Sequence, residues 1–408
     1  MSKRGVVLAH PSGHRFFREL AAALQRAGVL SELCTAIDWR GGGVAGRLLP
    51  ERMRAELERR SFSRELGVPV ATHPWREAGR LAAARLGWRG LVRHETGLFS
   101  VDAVYREFDA WVARRLPRKE SAGVAYAYED AAEATLTTAG RLGWRRAYDL
   151  PIAYWETSRR LLEQEAERWP AWDPTLVGTR DSAEKCARKT RELAQADLVV
   201  CPSRFVADSI PAAAGRRVVI APFGSPPPGP PRERRDPRRP LRVLFAGSMS
   251  QRKGLADLFA AMRLLKRKDI ELVVFGSPVA SPTFYRRELE SFTHEAPRPH
   301  AQVLELMRTC DVLCLPSIVE GRALVVQEAM SMGLPAVITA NTGADDVVRE
   351  GESGFVVPVR APAAIAEKLD WLADNRDAVA AHGEAARQAA ARFTWADYGA
   401  KILSALAG

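Results

Sequence analysis

The stretch LRVLFAGSMSQRKGLADLFAAMRLLKRKDIELVVFG, residues 241–276, runs from an apolar segment through a glycine-bearing turn and a helix-like segment into a second apolar segment. A strand over Leu241 to Ala246 ends at Gly247, a short loop carries Arg252 and Lys253, and a helix begins at about Gly254. Strand, helix and strand in that order predict a parallel α/β sheet. A phosphate at the turn would meet free backbone N–H groups and the positive end of the helix dipole. Glycine lets the backbone come close, and the two cations offset remaining charge. Taken alone, the stretch fits an ordinary β-α turn with surface cations equally well. It is not a Walker A loop, because the glycine spacing and the Lys-Ser/Thr pair are missing.

Downstream the alternation continues. Helices are expected around 283–290 and 300–308, then a strand DVLCLPS, a helix ALVVQEAMSM, a strand PAVITA and two closing helices. Six strand-like segments in all give a second doubly wound domain over 241–392, with a C-terminal helix over 393–408 packing back toward the first domain. Upstream, SPPPGPPRERRDPRRP (225–240) holds seven prolines and five arginines and predicts an exposed, semi-rigid linker.

The first domain, 1–224, opens with the strand GVVLAH, the amphipathic segment RFFRELAAALQRAG and the strand LSELCTAI, a βαβ start. Residues 40–120 read as an arginine-rich helical insertion, broken by Gly41 to Gly43, with Trp75, Trp88 and Trp111 expected in the core. GVAYAYED, RRAYDLPIAYW and the end of KTRELAQADLVVCPS follow as strands.

At 408 residues the chain exceeds what one core fills, so two domains of roughly 200 residues are expected. The five-residue apolar run before His10 is too short for a signal peptide or membrane helix, which predicts a cytoplasmic protein. Five cysteines with no Cys-x-x-Cys pair argue against a disulfide framework or zinc site. A net charge of +11 favours anionic partners: nucleic acid, acidic phospholipid or phosphorylated small molecules. No aromatic platform or groove-reading motif supports a nucleic-acid partner.

EGRALVVQE, residues 320–328, places acids eight positions apart around an apolar run. Glu320 follows the strand over Val312 to Ser317, in the loop where ligands lie in open α/β sheets. A full helical separation would put Glu328 roughly 12 Å from it along the axis. Two acids so placed suit two ends of one elongated ligand better than one reacting atom. Carboxylates accept hydrogen bonds from the diols that a nucleotide sugar carries at both ends, and Gly321 frees N–H groups for its phosphates.

With these neighbours the chain resembles retaining glycosyltransferases of family 4, the glycosyl transferases group 1, which have the GT-B fold. The resemblance rests on FAGSMSQRKG, CDVLCLPSIVEGRALVVQEAMSMGLPAVIT, NTGADDVVREGESGFVVP and FTW (Phe393 to Trp395), with ADLVVCPSRF and VVIAPFG upstream. It implies two Rossmann-like doubly wound domains facing each other across a cleft. It also implies a hexosyltransferase-type, metal-independent enzyme without a cofactor, taking a UDP-, GDP- or other nucleoside diphosphate sugar. By the resemblance Glu320 contacts the donor sugar, Glu328 holds the ribose diol, Lys253 binds the diphosphate over Gly247 and Ser248, and the backbone from Gly321 through Arg322 and Ala323 to Leu324 touches the phosphates.

Two departures alter that pattern. Ser248 stands where many members carry arginine, so Arg252 would supply the second cation, and YAYED replaces the family's histidine strand, leaving Tyr126, Tyr128 or Glu129 near the sugar. The loop HPSGH offers Gly13 to the donor phosphate and His14 to the acceptor, while the His300 side chain is expected to be incidental. No Asp-x-Asp occurs, and Asp345-Asp346 is expected to cap a helix. The resemblance implies transfer to a hydroxyl of a glycan or lipid-linked glycan in bacterial cell-surface polysaccharide synthesis. The expected setting is the inner face of the plasma membrane, with peripheral contact to anionic lipid by residues 40–120 and no nucleic-acid partner. A nucleotide-sugar epimerase or phosphorylase on the same fold, and a basic nucleic-acid-binding protein, are the alternatives.

Overall fold

The structure, a computed structural model, describes residues 5–39, 60, 62, 69–116, 122–212, 216–231, 236 and 238–408. Gly41 to Gly43, most of 40–68 and linker residues 232–235 and 237 lie outside the described residues.

Two parallel sheets organise the chain. The first contains β1 (Gly5–Ala9), β2 (Leu30–Thr35), β3 (Val70–Thr72), β4 (Ala122–Tyr128), β5 (Arg145–Asp149), β6 (Leu198–Cys201) and β7 (Arg217–Ile220), in the order β3-β2-β1-β4-β5-β6-β7. The second contains β8 (Leu241–Ala246), β9 (Ile270–Phe275), β10 (Thr293–Glu295), β11 (Val312–Leu315), β12 (Ala336–Ile338) and β13 (Gly354–Val356), ordered β10-β9-β8-β11-β12-β13. Helices cover both faces of each sheet, so interior strands such as GVVLA and VLCL are buried at every position and their apolar runs are unbroken. This is the expected α/β class of two Rossmann-like doubly wound domains.

The first sheet reverses its order between β1 and β4, and the second between β8 and β11. Loops beyond these strand ends form the crevice in which such sheets bind ligands. The quoted 241–276 unit therefore supplies one rim of the second crevice, and the loop containing Glu320 supplies the other.

Several expectations are corrected. The strand expected over RRAYDLPIAYW stops at Asp149, because Pro151 has no N–H for a ladder, and a helix begins at Trp155. Residues 69–116 contribute the edge strand β3 as well as helices Trp75–Arg85 and Val101–Arg115. Trp111 packs against a core, but Trp75 and Trp88 are exposed. Helix Trp75–Arg85 buries only Glu77 and Ala83, so its tryptophan has no core to enter. Helices Pro362–Asp374, Arg376–Ala391 and Trp395–Ala407 close the chain.

The two lobes exchange segments. Trp172, in the 3-10 turn Pro170–Thr175, lies in the second core with its ring edge-on to Phe259, Phe284 and Tyr285. Conversely, Tyr398, Ile402, Ala405 and Leu406 of the last helix share a core with Val6, Phe17, Leu20 and Leu24. The crossings run side by side, with Ser225 N–H donating to the Phe393 carbonyl at 2.8 Å.

Helix Trp395–Ala407 approaches helix Arg15–Arg26 closely enough that a Cβ at Gly399 would lie 2.5 Å from that of Ala23. Gly399→Leu forces a side chain into this crossing and is expected to cost about 1–3 kcal/mol, read as a lower unfolding midpoint in denaturant. An unchanged midpoint would place the last helix elsewhere.

Candidate active site

Loops from both switch points meet around one cavity of about 1930 Å³. On the second-domain side it is lined by Gly247, Arg252, Lys253, Glu320, Gly321, Arg322, Ala323, Leu324 and Glu328. On the first-domain side it is lined by His14, Tyr128 and Glu129. Twelve of the fifteen candidate residues named from sequence thus line a single wall or the wall opposite.

Local conformation explains the cationic turn. Gly247 ends β8 with φ 151°, and Gly254 adopts φ 75° so that the 3-10 turn Gln251–Lys253 can lead into helix Leu255–Leu265. A Cβ at Gly254 would collide with the Pro316 carbonyl at the end of β11. The backbone stitches the two loops together, since Ile318 N–H donates to the Arg252 carbonyl at 2.9 Å.

Glu320 sits between the cations. One carboxylate oxygen, Oε1, accepts from Lys253 Nζ at 2.5 Å and from Arg252 Nη1 at 2.6 Å, and Arg252 Nη1 also reaches the Val319 carbonyl at 2.9 Å. Glu320 is only 8% exposed. Burial would raise its pKa, but Lys253 and Arg252 outweigh that and hold it below the ordinary carboxylate range. Burial likewise lowers Lys253, with Glu320 opposing the shift. The sequence reading gave this acid and the cations to different parts of one ligand, and the structure bonds them to each other.

The eight-residue spacing to Glu328 is only half helical, because helix Leu324–Ser331 starts four residues after Glu320. Glu328 Oε1 meets His300 Nε2 at 2.8 Å, and this bond raises the His300 pKa. His300 also lines the cavity, and there its side chain has Glu328 as a partner that the sequence reading did not give it. It was missed because 28 positions separate it from Glu328, and nothing in either local pattern marks the pairing.

The apolar stretch between the acids holds the domains together. Gly321 lies so close to Pro151 of the first domain that a Cβ there would fall on its carbonyl, and the Ser203 hydroxyl donates to the Gly321 carbonyl at 2.6 Å. Gln327 Nε2 donates to the Phe223 carbonyl and to Ser225 Oγ, both at 2.9 Å. Arg322 points its guanidinium inward, to Gln327 Oε1 at 2.8 Å, the Gly343 carbonyl at 2.9 Å and Asp346 at 2.8 Å, and over the Phe393 ring. The expected role of Arg322 toward a donor was that of its backbone, and its guanidinium is engaged in these inward bonds. Asp346 is that guanidinium's partner; no helix begins at Asp345, where the chain makes a turn.

Three candidates lie off the cavity. After Gly247 the chain makes a bridge, Met249 N–H to the Ser277 carbonyl at 3.0 Å, which turns Ser248 toward Ser250 Oγ at 3.3 Å. Gly13 is buried in its loop and is absent from the described lining, while the adjacent His14 reaches the mouth. Desolvation, then Arg18 and Arg60, lower the His14 pKa. Tyr126 is fully buried in the first core, leaving Tyr128 and Glu129 at the wall. Burial raises the Glu129 pKa, opposed by Lys189, whose Nζ lies 3.3 Å away. Lys189 also lines the cavity and had no sequence signal beyond its place on a helix.

Residues 231–389 match the family model described as glycosyl transferases group 1. A D-inositol 3-phosphate glycosyltransferase of Corynebacterium glutamicum (strain R) is 31% identical over 189 residues, covering 42% of this chain and 45% of that protein. Its counterpart in Xylanimonas cellulosilytica is 33% identical over 177 residues, covering 40% and 42%. The chain thus spans less than half the length of the curated relatives it matches. Sucrose-phosphate synthase from Thermosynechococcus elongatus superposes with a TM-score of 0.65 at 14% identity, over 98% of this chain and 96% of that one. Anabaena Alr3699/HepE in complex with UDP superposes at 0.61 and 15% identity, over 98% and 99%. The superpositions speak to fold alone. The second domain thus matches the glycosyl transferases group 1 family model, and the chain as a whole has the two-domain GT-B fold of the structures it superposes on.

Proposed function

We propose that the chain is a retaining, metal-independent glycosyltransferase of the hexosyl type. It moves a sugar from a nucleoside diphosphate donor to a hydroxyl of a glycan or lipid-linked glycan. The reading includes a cytoplasmic location, peripheral contact with the inner face of the plasma membrane, and a place in bacterial cell-surface polysaccharide synthesis. The observation that carries it is the cluster of Lys253 and Arg252 around the buried Glu320, in a cleft that reaches across to Tyr128 and Glu129.

The chemistry follows from charge. Departure of a nucleoside diphosphate places negative charge on phosphate oxygens and positive charge on the sugar ring. Lys253 and Arg252 stabilise the first at fixed positions without a metal ion, and the first-turn N–H groups of helix Leu324–Ser331 add to them. An incoming diphosphate takes over the two cations, and Glu320 then turns to the sugar hydroxyls and the developing ring charge. The acceptor hydroxyl attacks on the face the leaving group vacates, its proton passes to a phosphate oxygen, and the anomeric configuration is retained. Glu328 holds the ribose diol. Tyr128, Glu129 and His14 face the sugar and acceptor from the first domain.

A thermal-shift screen against UDP, GDP and ADP tests the donor class. The cognate nucleotide at a hundred times its Kd should stabilise the fold by about 2.7 kcal/mol, and no shift with any of them would sink the reading. In kinetics, Glu320→Gln should lower turnover about 10²–10³-fold while donor still binds. Lys253→Ala should weaken donor binding about ten- to a hundredfold. Wild-type constants in both variants would remove these roles.

The Glu328 bond to His300 gives a pH signature. A raised histidine pKa stabilises the fold below the ordinary histidine range, and that contribution is lost as pH rises through the raised value. The opposing neighbour is Arg15, whose charge lowers it. An NMR titration should find the His300 midpoint above 6.5 and falling in Glu328→Gln. A midpoint unaffected by that substitution would break the pair.

A further inference from the structure

Helix Trp75–Arg85 shows solvent a stripe of apolar residues. Trp75, Ala78, Ala82 and Leu86 follow one another at three- and four-residue spacing and are all exposed, Trp75 to 76%. Trp88, Leu98 and Val101, just beyond the helix, are also half or more exposed. Soluble proteins rarely leave two indoles and three aliphatic side chains in the open along one short segment.

The charge of this segment is one-sided. Arg85, Arg89 and Arg93 are exposed. The two acids of residues 75–101 face inward: Glu77 is buried and accepts from Arg80 Nε at 2.6 Å, and Glu95 accepts from the Ser182 N–H at 2.8 Å. Arg85 and Val101 also line the cleft, so the apolar and basic face runs into the rim of the candidate active site.

We propose that this face docks on an anionic lipid bilayer, with Trp75, Leu86, Trp88, Leu98 and Val101 entering the interface and Arg85, Arg89 and Arg93 meeting lipid phosphates. Indoles seat at the boundary between headgroups and acyl chains, and arginines beside them are attracted by the surface potential. A soluble polyanion would engage the arginines but leave the tryptophans in water. Because the same face borders the cleft, docking turns the mouth toward a lipid-carried acceptor. That last consequence rests on the proposed transferase reading; the lipid contact itself does not.

The test is co-sedimentation of the full chain with vesicles of phosphatidylcholine, with and without phosphatidylglycerol. Binding is expected only with the anionic lipid and should weaken in high salt. Trp75→Ser/Trp88→Ser should reduce it at least tenfold, and Arg89→Glu/Arg93→Glu by more than about fivefold per site. Both double variants should keep the wild-type thermal shift with the cognate nucleotide, which shows that they fold. Equal binding by wild type and variants, or none by wild type, overturns the proposal. So does a wild-type dimer in sedimentation velocity that the tryptophan variant abolishes, which would assign the face to a second copy. Vesicle binding without any nucleotide shift would instead leave this surface standing and remove the transferase reading.

Discussion

A buried carboxylate needs partners, and the molecule is arranged to give Glu320 two of them. Its acid lies in the loop after β11, while Lys253 and Arg252 lie in the turn after β8. The buried acid and its two partly buried cations are tolerated together because their charges and hydrogen bonds satisfy one another. The geometry depends on adjacent parallel strands ending side by side, so the sheet order β8-β11 is a precondition of the site. One excess positive charge remains in the cluster, which suits an anionic ligand.

The segment from Glu320 to Glu328 links that site to the architecture. Its acids point at the cavity, while Arg322 and Gln327 point the other way, into the paired crossings at Phe223, Ser225 and Phe393. Gly321 touches Pro151 of the first domain. A second set of contacts reinforces the junction: Arg168 reaches Asp257 at 2.6 Å, and Gln251 Nε2 bridges Glu165 at 2.5 Å and Asp257 at 2.8 Å. Gln251 immediately precedes Arg252 and Lys253, so domain contact and cationic turn share a backbone. A shift between the lobes would be felt at the cluster, a mechanical link consistent with a cleft that works by closing on its ligand.

Much of this was legible in sequence because buried parallel strands leave apolar runs and β-α turns leave glycines. The alternation over 241–276 and the position of Glu320 after a strand were sufficient to place the cationic turn and the acid at one crevice. Long-range pairings were not legible. Nothing local announces that His300 reaches Glu328, that Arg322 folds inward to Asp346, or that Lys189 borders the cavity. Ser248 turns toward Ser250 and is not among the lining residues, because sequence shows that a residue follows a glycine but not which way the chain turns after it. Trp75 and Trp88 were assigned to a core by residue type alone, and both are exposed in the structure.

The central claim is that Lys253 and Arg252 exchange Glu320 for a ligand diphosphate. A crystal structure with UDP bound decides it most directly. The account predicts a phosphate oxygen at about 2.7–3.2 Å from Lys253 Nζ, Glu320 released toward the sugar side of the cleft, and the ribose on Glu328. A nucleotide bound elsewhere, with Lys253 still joined to Glu320 and the cleft otherwise unchanged, would contradict it.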